Sequence, residues 1–172
     1  VESEYSLNVR RTLGAGFSLV EVMVTVAVLA IILAIGIPSF QSFFENSRLN
    51  RANDDFIAAV NLARSEAITR ELPAGGGVVL CERNAAGTAC SGDAAWADGL
   101  MVLEMDAGGN VLQVIRAWDP VATAAVAAGA NQITFSRDGR ADPAVGFSVN
   151  VHGESQNYCL RPTGSVFKGG CP

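Results

Sequence analysis

From Phe17 to Ile37 the chain is apolar almost without interruption and carries a single charge, Glu21. A run without polar faces predicts a helix that is apolar all round, and at 1.5 Å per residue it would span roughly 31 Å, the thickness of a bilayer core. Further on the pattern becomes periodic. Leu49, Ala52, Phe56, Val60, Ala63 and Ala67 step by three or four, the stripe of a helix packed along one side. Arg51 with Asp55, and Glu66 with Arg70, add four-apart ion pairs on its wet side. Gly36 and Pro38 stand where the two halves join, and the proline, which lacks an amide hydrogen, is expected to kink or loosen the helix there. Pro73 and Gly75-Gly76-Gly77 end it.

Only short β-type runs follow: Val78 to Glu82, Leu100 to Met105, Val111 to Trp118, Gln132 to Ser136, Val145 to Val151 and Asn157 to Leu160. Asp106 to Asn110 reads as a hairpin loop, and the alanine-rich stretch Val121 to Ala130 fits either an irregular loop or a helical turn. A long helix followed only by strands implies an α+β fold in which a sheet buries one face against the 49–67 stripe. The expected organisation is a leader over 1–16, a hydrophobic membrane-spanning helix over 17–37, an amphipathic helix over 38–72 and a β-rich head over 73–172.

Charge gives the apolar run a direction. Arg10 and Arg11 precede it, which favours a cytoplasmic N-terminus and an exported head. Four cysteines suit an oxidising compartment. They pair most simply in sequential order, Cys81 with Cys90 and Cys159 with Cys171, each closing a short loop, although three pairings are formally possible. No cysteine pair has the close spacing of a zinc site, His152 is the one histidine, and Asp138 with Asp142 offers too few oxygens for calcium, so no metal or other cofactor is expected. The net charge of −5 makes the chain a poor general binder of phosphate backbones. Arg137 and Arg140, beside Asp138 and Asp142, read as a solvated mixed-charge loop. There is no GxSxG elbow and no Walker loop, which argues against an enzyme.

Glu21 calls for a reason, since a carboxylate within a membrane span costs about 2.5 to 3.5 kcal/mol on insertion scales. It can reach the interface, or it can meet a partner. A cut after Gly16 would create an ammonium on Phe17, and that group on a neighbouring subunit could neutralise Glu21. A secretory signal would instead be cut after its apolar run, and here the run flows on unbroken.

Gly16-Phe17-Ser18-Leu19-Val20-Glu21 resembles the prepilin cleavage and methylation motif of type IV pilins and type II secretion pseudopilins. The resemblance implies cleavage by a prepilin peptidase between Gly16 and Phe17, methylation of the Phe17 amine, an assembly role for Glu21 and a helix-melting role for Pro38. Ala15, Ser18 and Val20 stand where other residues are commoner. Leu62 to Ile68, Val79-Leu80-Cys81, Cys90, Trp96 to Leu100 and Arg161-Pro162-Thr163-Gly164 are similar to the GspH/FimT/FimU group of minor pilins and pseudopilins. By their own spacing, Ala63, Ala67, Ile68 and Trp96 are core positions.

This second resemblance implies a type IV pilin-like fold and a low-abundance subunit that initiates or links pilus assembly. The alternative is a minor pseudopilin of a type II secretion pseudopilus, and two disulfides incline the choice to the pilus branch. The implied partners are other minor and major pilins or pseudopilins, the prepilin peptidase, the inner membrane and the assembly platform. The implied location is the inner membrane with a periplasmic head, then the pilus or pseudopilus. Some FimT-like members capture DNA through an arginine-rich C-terminal motif. The matching stretch, Gly164 to Lys168, lacks those arginines, so DNA is not an expected partner, and Arg161 and Lys168 are its candidate contacts.

Overall fold

The computed structural model describes residues 16–122, 124–151 and 153–171, with the side chains at 38 and 39 left aside. The expected leader up to Ala15, with Arg10 and Arg11, lies outside the described residues, as do His152 and the side chain of Pro38 on which the expected kink depends. A single helix, α1, runs from Leu19 to Thr69. The chain divides into two compact units, Val1–Gln41 and Ser42–Pro172.

In the second unit the strands are β1 (Gly77–Glu82), β2 (Leu100–Met105), β3 (Val111–Trp118), β4 (Ala124–Ala128), β5 (Gln132–Phe135), β6 (Ala141–Asp142), β7 (Val145–Val151), β8 (Glu154–Leu160) and β9 (Val166–Lys168). They form two antiparallel sheets, one in the order β3-β2-β1-β5-β6 and the other in the order β4-β7-β8-β9. The head is thus built on two sheets where the sequence suggested one.

The periodic stripe of α1 is the spine of the core. Leu49, Ala52, Phe56, Val60, Ala63 and Ala67 are all buried, joined by Ala59. Phe56 meets both Trp96 and Phe147, with ring centroids 5.8 and 3.8 Å away, and Phe147 stacks on Tyr158 at 5.2 Å. Burying an aromatic of this size stabilises by about 1.5 to 3 kcal/mol, so this cluster ties the helix to the second sheet. Strand β1 is buried on both faces: Val78 and Leu80 join the main core, while Val79 and Cys81 pack with Met101 and Leu103 in a second small core. Its continuous apolar run, without alternation, follows from that double burial.

Polar contacts close the ends of these elements. Arg51 and Asp55 pair at 3.7 Å, and Arg70 reaches Glu66 at 2.6 Å and also Glu104 on β2 at 3.0 Å. The Asp106 carboxylate organises the β2–β3 hairpin loop by accepting from the backbone N–H groups of Gly108 and Asn110 at 2.8 and 2.9 Å. After Thr69 the chain turns through Pro73, whose carbonyl accepts from the Gly76 N–H.

Three further expectations change. Ala124–Ala128 is neither loop nor helical turn but strand β4, held in register with β7, which supplies the hydrogen bonds that alanine's weak strand preference does not predict. Ile68 is 50% exposed, because it lies one position past the stripe and covers the turn at Gly139 from outside. Arg137 is not simply solvated, since its guanidinium donates to the Leu72 carbonyl just beyond the helix.

Candidate assembly site

Ser18 is the N-cap of α1. Its hydroxyl accepts a hydrogen bond from the Glu21 N–H at 3.2 Å, and its carbonyl accepts from the Val22 N–H, also at 3.2 Å. This satisfies an amide that a helix start otherwise leaves unpaired, and it sets Glu21 in the first turn, where the helix dipole favours a negative charge. Ser18 and Glu21 have the spacing of a capping box. One of the three residues that depart from the commoner motif, Ser18, is therefore the one that starts the helix, a role that its hydroxyl and its place three before a glutamate could have signalled.

The chain before the cap is open. Gly16 and Phe17 are exposed, and a methyl group at Gly16 would touch nothing within 4 Å. Beyond the cap, the large apolar side chains from Phe17 to Ile37 are between 49 and 82% exposed. Among the described residues, the helix that carries this segment is long and apolar enough to cross a membrane. A continuous apolar surface of that size needs lipid or other apolar helices around it.

In the head, Cys81 is bonded to Cys90 and Cys159 to Cys171. The first bond bridges β1 to the loop over the small core. Glu82, next to it, is 4% exposed and holds that loop through the Ser91 hydroxyl at 2.5 Å and the Asp98 N–H at 2.9 Å. Sequence reasoning missed Glu82, which looks like any strand-end carboxylate until the loop folds over it. Trp96 is buried and donates its indole N–H to the Ala130 carbonyl at 3.1 Å.

The segments 62–68 and 161–164 come together. Arg64 lies along the turns that contain Gly139 and Gly164, and a methyl group at Gly164 would stand 2.9 Å from the Arg64 Cδ and 2.4 Å from the Gly139 carbonyl oxygen. The same turns are joined by the Ala141 N–H, which donates to the Pro162 carbonyl at 2.9 Å. Arg161 lies over the Phe167 ring at 4.5 Å, and Lys168 is exposed in the edge strand β9. Asp138 accepts from the Ser136 hydroxyl at 2.6 Å, and Asp142 sits apart, in β6 opposite Thr134. Among the described residues no group of carboxylates, histidines or cysteines is arranged to hold a metal ion.

A capped apolar helix with an acidic first turn, continuing into a head of antiparallel sheets packed on its second half, defines the pilin class of filament subunits. Residues 52–165 match the family described as "Type II transport protein GspH", and residues 14–37 match the prokaryotic N-terminal methylation motif. The chain belongs to the GspH family, a group of structural pilin-type subunits. Its fold is that of the type IV minor pilin FimU of Pseudomonas aeruginosa (strain PAO1), whose crystal structure matches with a TM-score of 0.51 at 19% identity, over 72% of this chain and 91% of that one. The comparison with curated proteins gives no match.

Proposed function

We propose that this chain is a minor pilin that works in a type IV pilus, cut between Gly16 and Phe17 by a prepilin peptidase and methylated on the Phe17 amine. The precursor waits in the inner membrane on residues 17–37, with its head, residues 73–172, on the periplasmic side of the amphipathic segment 38–72. Assembly draws the helix out of lipid and packs it among the helices of other pilins. Glu21 then meets the Phe17 ammonium of a neighbour, because two opposite charges in a low-dielectric layer are each expensive alone.

The observation that carries this reading is the Ser18 cap at 3.2 Å, with Glu21 in the first turn of a helix whose apolar surface is uncovered. The test is complementation of a deletion strain with Glu21→Ala at equal protein level. Membrane insertion should be unharmed or slightly improved, the head should fold, and filament number should drop. Normal piliation would sink the proposal. The family description favours a second reading, a minor pseudopilin of type II secretion, in which the same variant would leave pili intact and lower secretion.

A further inference from the structure

Strand β3 is an open edge. It ends the five-stranded sheet and pairs with β2 on one side, and among the described residues no backbone hydrogen bond leaves its other side. The remaining edges offer less. β6 and β9 have two and three residues, and on β4 the N–H groups of Ala124 and Ala128 donate to the carbonyls of Val121 and Ala94 at 3.0 and 3.4 Å. An edge is commonly kept from pairing by several charges or a proline, and the eight residues of β3 hold one charge, Arg116, and no proline. A row of unpaired backbone donors and acceptors is complemented by one kind of partner, another backbone in extended conformation.

Two bulges shape this edge. The register with β2 shifts between Val102 and Leu103 and again between Glu104 and Met105, which leaves Ile115 and Leu112 with no residue opposite. Val111, Val114 and Ala117 therefore stand opposite Met105, Leu103 and Met101, alternate residues that share one face of β2. Met101 and Leu103 are buried in the small core, and Met105 packs against it. The apolar face runs on past that core to the edge, where Val111 and Val114 are each 37% exposed and Leu112 is 52% exposed. A bulge bends its strand and breaks the ladder, so what pairs here is a short strand.

Charge narrows the partner further. Among the described residues Arg51, Arg70, Arg83 and Arg140 each have a carboxylate within 4.0 Å, whereas Arg116 lies over the Trp118 ring at 4.6 Å and stands opposite Val102. A second copy does not complete it. Two antiparallel β3 strands in full overlap set Arg116 against Gln113, and two parallel ones in register set Arg116 against Arg116. The complement is a strand with a carboxylate opposite Arg116, since cross-strand pairs of opposite charge attract and like charges repel.

We propose that the β3 edge receives a short extended strand, apolar beside Val111 and Val114 and acidic opposite Arg116, from the head of a different pilin-type subunit. This rests on the reading of the chain as a filament subunit, and adds a head contact to the one made by the N-terminal helix.

The full mature chain, in detergent and labelled with nitrogen-15, is titrated with a short synthetic peptide of alternating valine and threonine that carries one central glutamate. Two controls carry glutamine in its place, or a backbone methylated on alternate nitrogens. The β3 amide signals should shift saturably with the glutamate peptide, about tenfold more weakly with the glutamine peptide, and not with the methylated one. No shift on β3, or equal shifts with all three peptides, would overturn the proposal, and β3 shifts that depend on protein concentration alone would reassign the edge to a second copy. In cells, Arg116→Gln and Leu112→Lys, each with an unchanged urea midpoint, should give about tenfold fewer filaments. Normal filaments in both, while Glu21→Ala abolishes them, would refute the strand contact and leave the subunit reading standing. Normal filaments in all three would refute both.

Discussion

The Ser18 hydroxyl and the Glu21 backbone N–H meet at 3.2 Å, so the residue that opens the helix also fixes the amide of the acidic residue on which assembly is proposed to turn. Removing an N-cap hydroxyl costs about 0.5 to 2 kcal/mol. Ser18→Ala should therefore fray the first turn without harming the head. Hydrogen exchange of the Glu21 and Val22 amides in detergent should accelerate by about fivefold or more, with amides on β1 unchanged. Unchanged exchange at Glu21 would show that the cap does not hold the turn.

Gly164 and Gly87 separate two causes of glycine sensitivity. Both have positive φ, 75° and 67°, but a methyl group at Gly164 collides with backbone and with Arg64, whereas at Gly87 nothing lies within 4 Å. Gly87→Ala should cost about 1 kcal/mol from backbone strain alone. Gly164→Ala should cost at least twice that in a urea melt of the mature chain. Equal losses would mean that the turn can shift away from α1.

The two disulfides stabilise separate places. Replacing Cys81 and Cys90 by alanine should loosen the loop over the small core, and replacing Cys159 and Cys171 should free the C-terminal tail from β8. Each pair should cost about 2 to 3 kcal/mol by the entropic model. Non-reducing peptide mapping of wild-type protein checks the pairing, and a crossed pattern would contradict it.

Acid should weaken the β2–β3 hairpin. The Asn110 side-chain amide, then the Asn110 backbone N–H, hold the Asp106 carboxyl below its ordinary value. A carboxylate whose folded pKa is depressed contributes fully above the unfolded value of about 4, and that contribution fades as pH falls through the folded value. Asp138 is depressed in the same direction by the Ser136 hydroxyl. Urea melts at about pH 6 and about pH 3 should show a smaller acid loss for Asp106→Ala than for wild type. An identical loss would place the acid sensitivity elsewhere.

What could be read from the sequence followed from spacing. The stripe from Leu49 to Ala67 is written in steps of three and four, and hairpin residues such as Asp106 and Asn110 act within a few positions of themselves. What could not be read depends on distant partners. Strand β4 is four alanines around Val126, which carry little strand signal until β7 offers hydrogen bonds, and β6 and β9 are too short to show alternation. Ile68 looks like core because it follows Ala67, yet it lies beside the stripe and covers the turn at Gly139 from outside, half exposed. Arg64 gave no sign of its place, since Gly139, in the turn between β5 and β6, and Gly164, in the turn between β8 and β9, meet it only through the tertiary fold.

The central claim is that the chain enters a filament through a helix freed at Phe17, and the intact mass of the chain recovered from sheared, purified filaments tests it directly. The account predicts a single species that begins at Phe17, is one methyl group heavier than the unmodified sequence, and keeps both disulfides. Filament material in which residues 1–16 are still attached would contradict it.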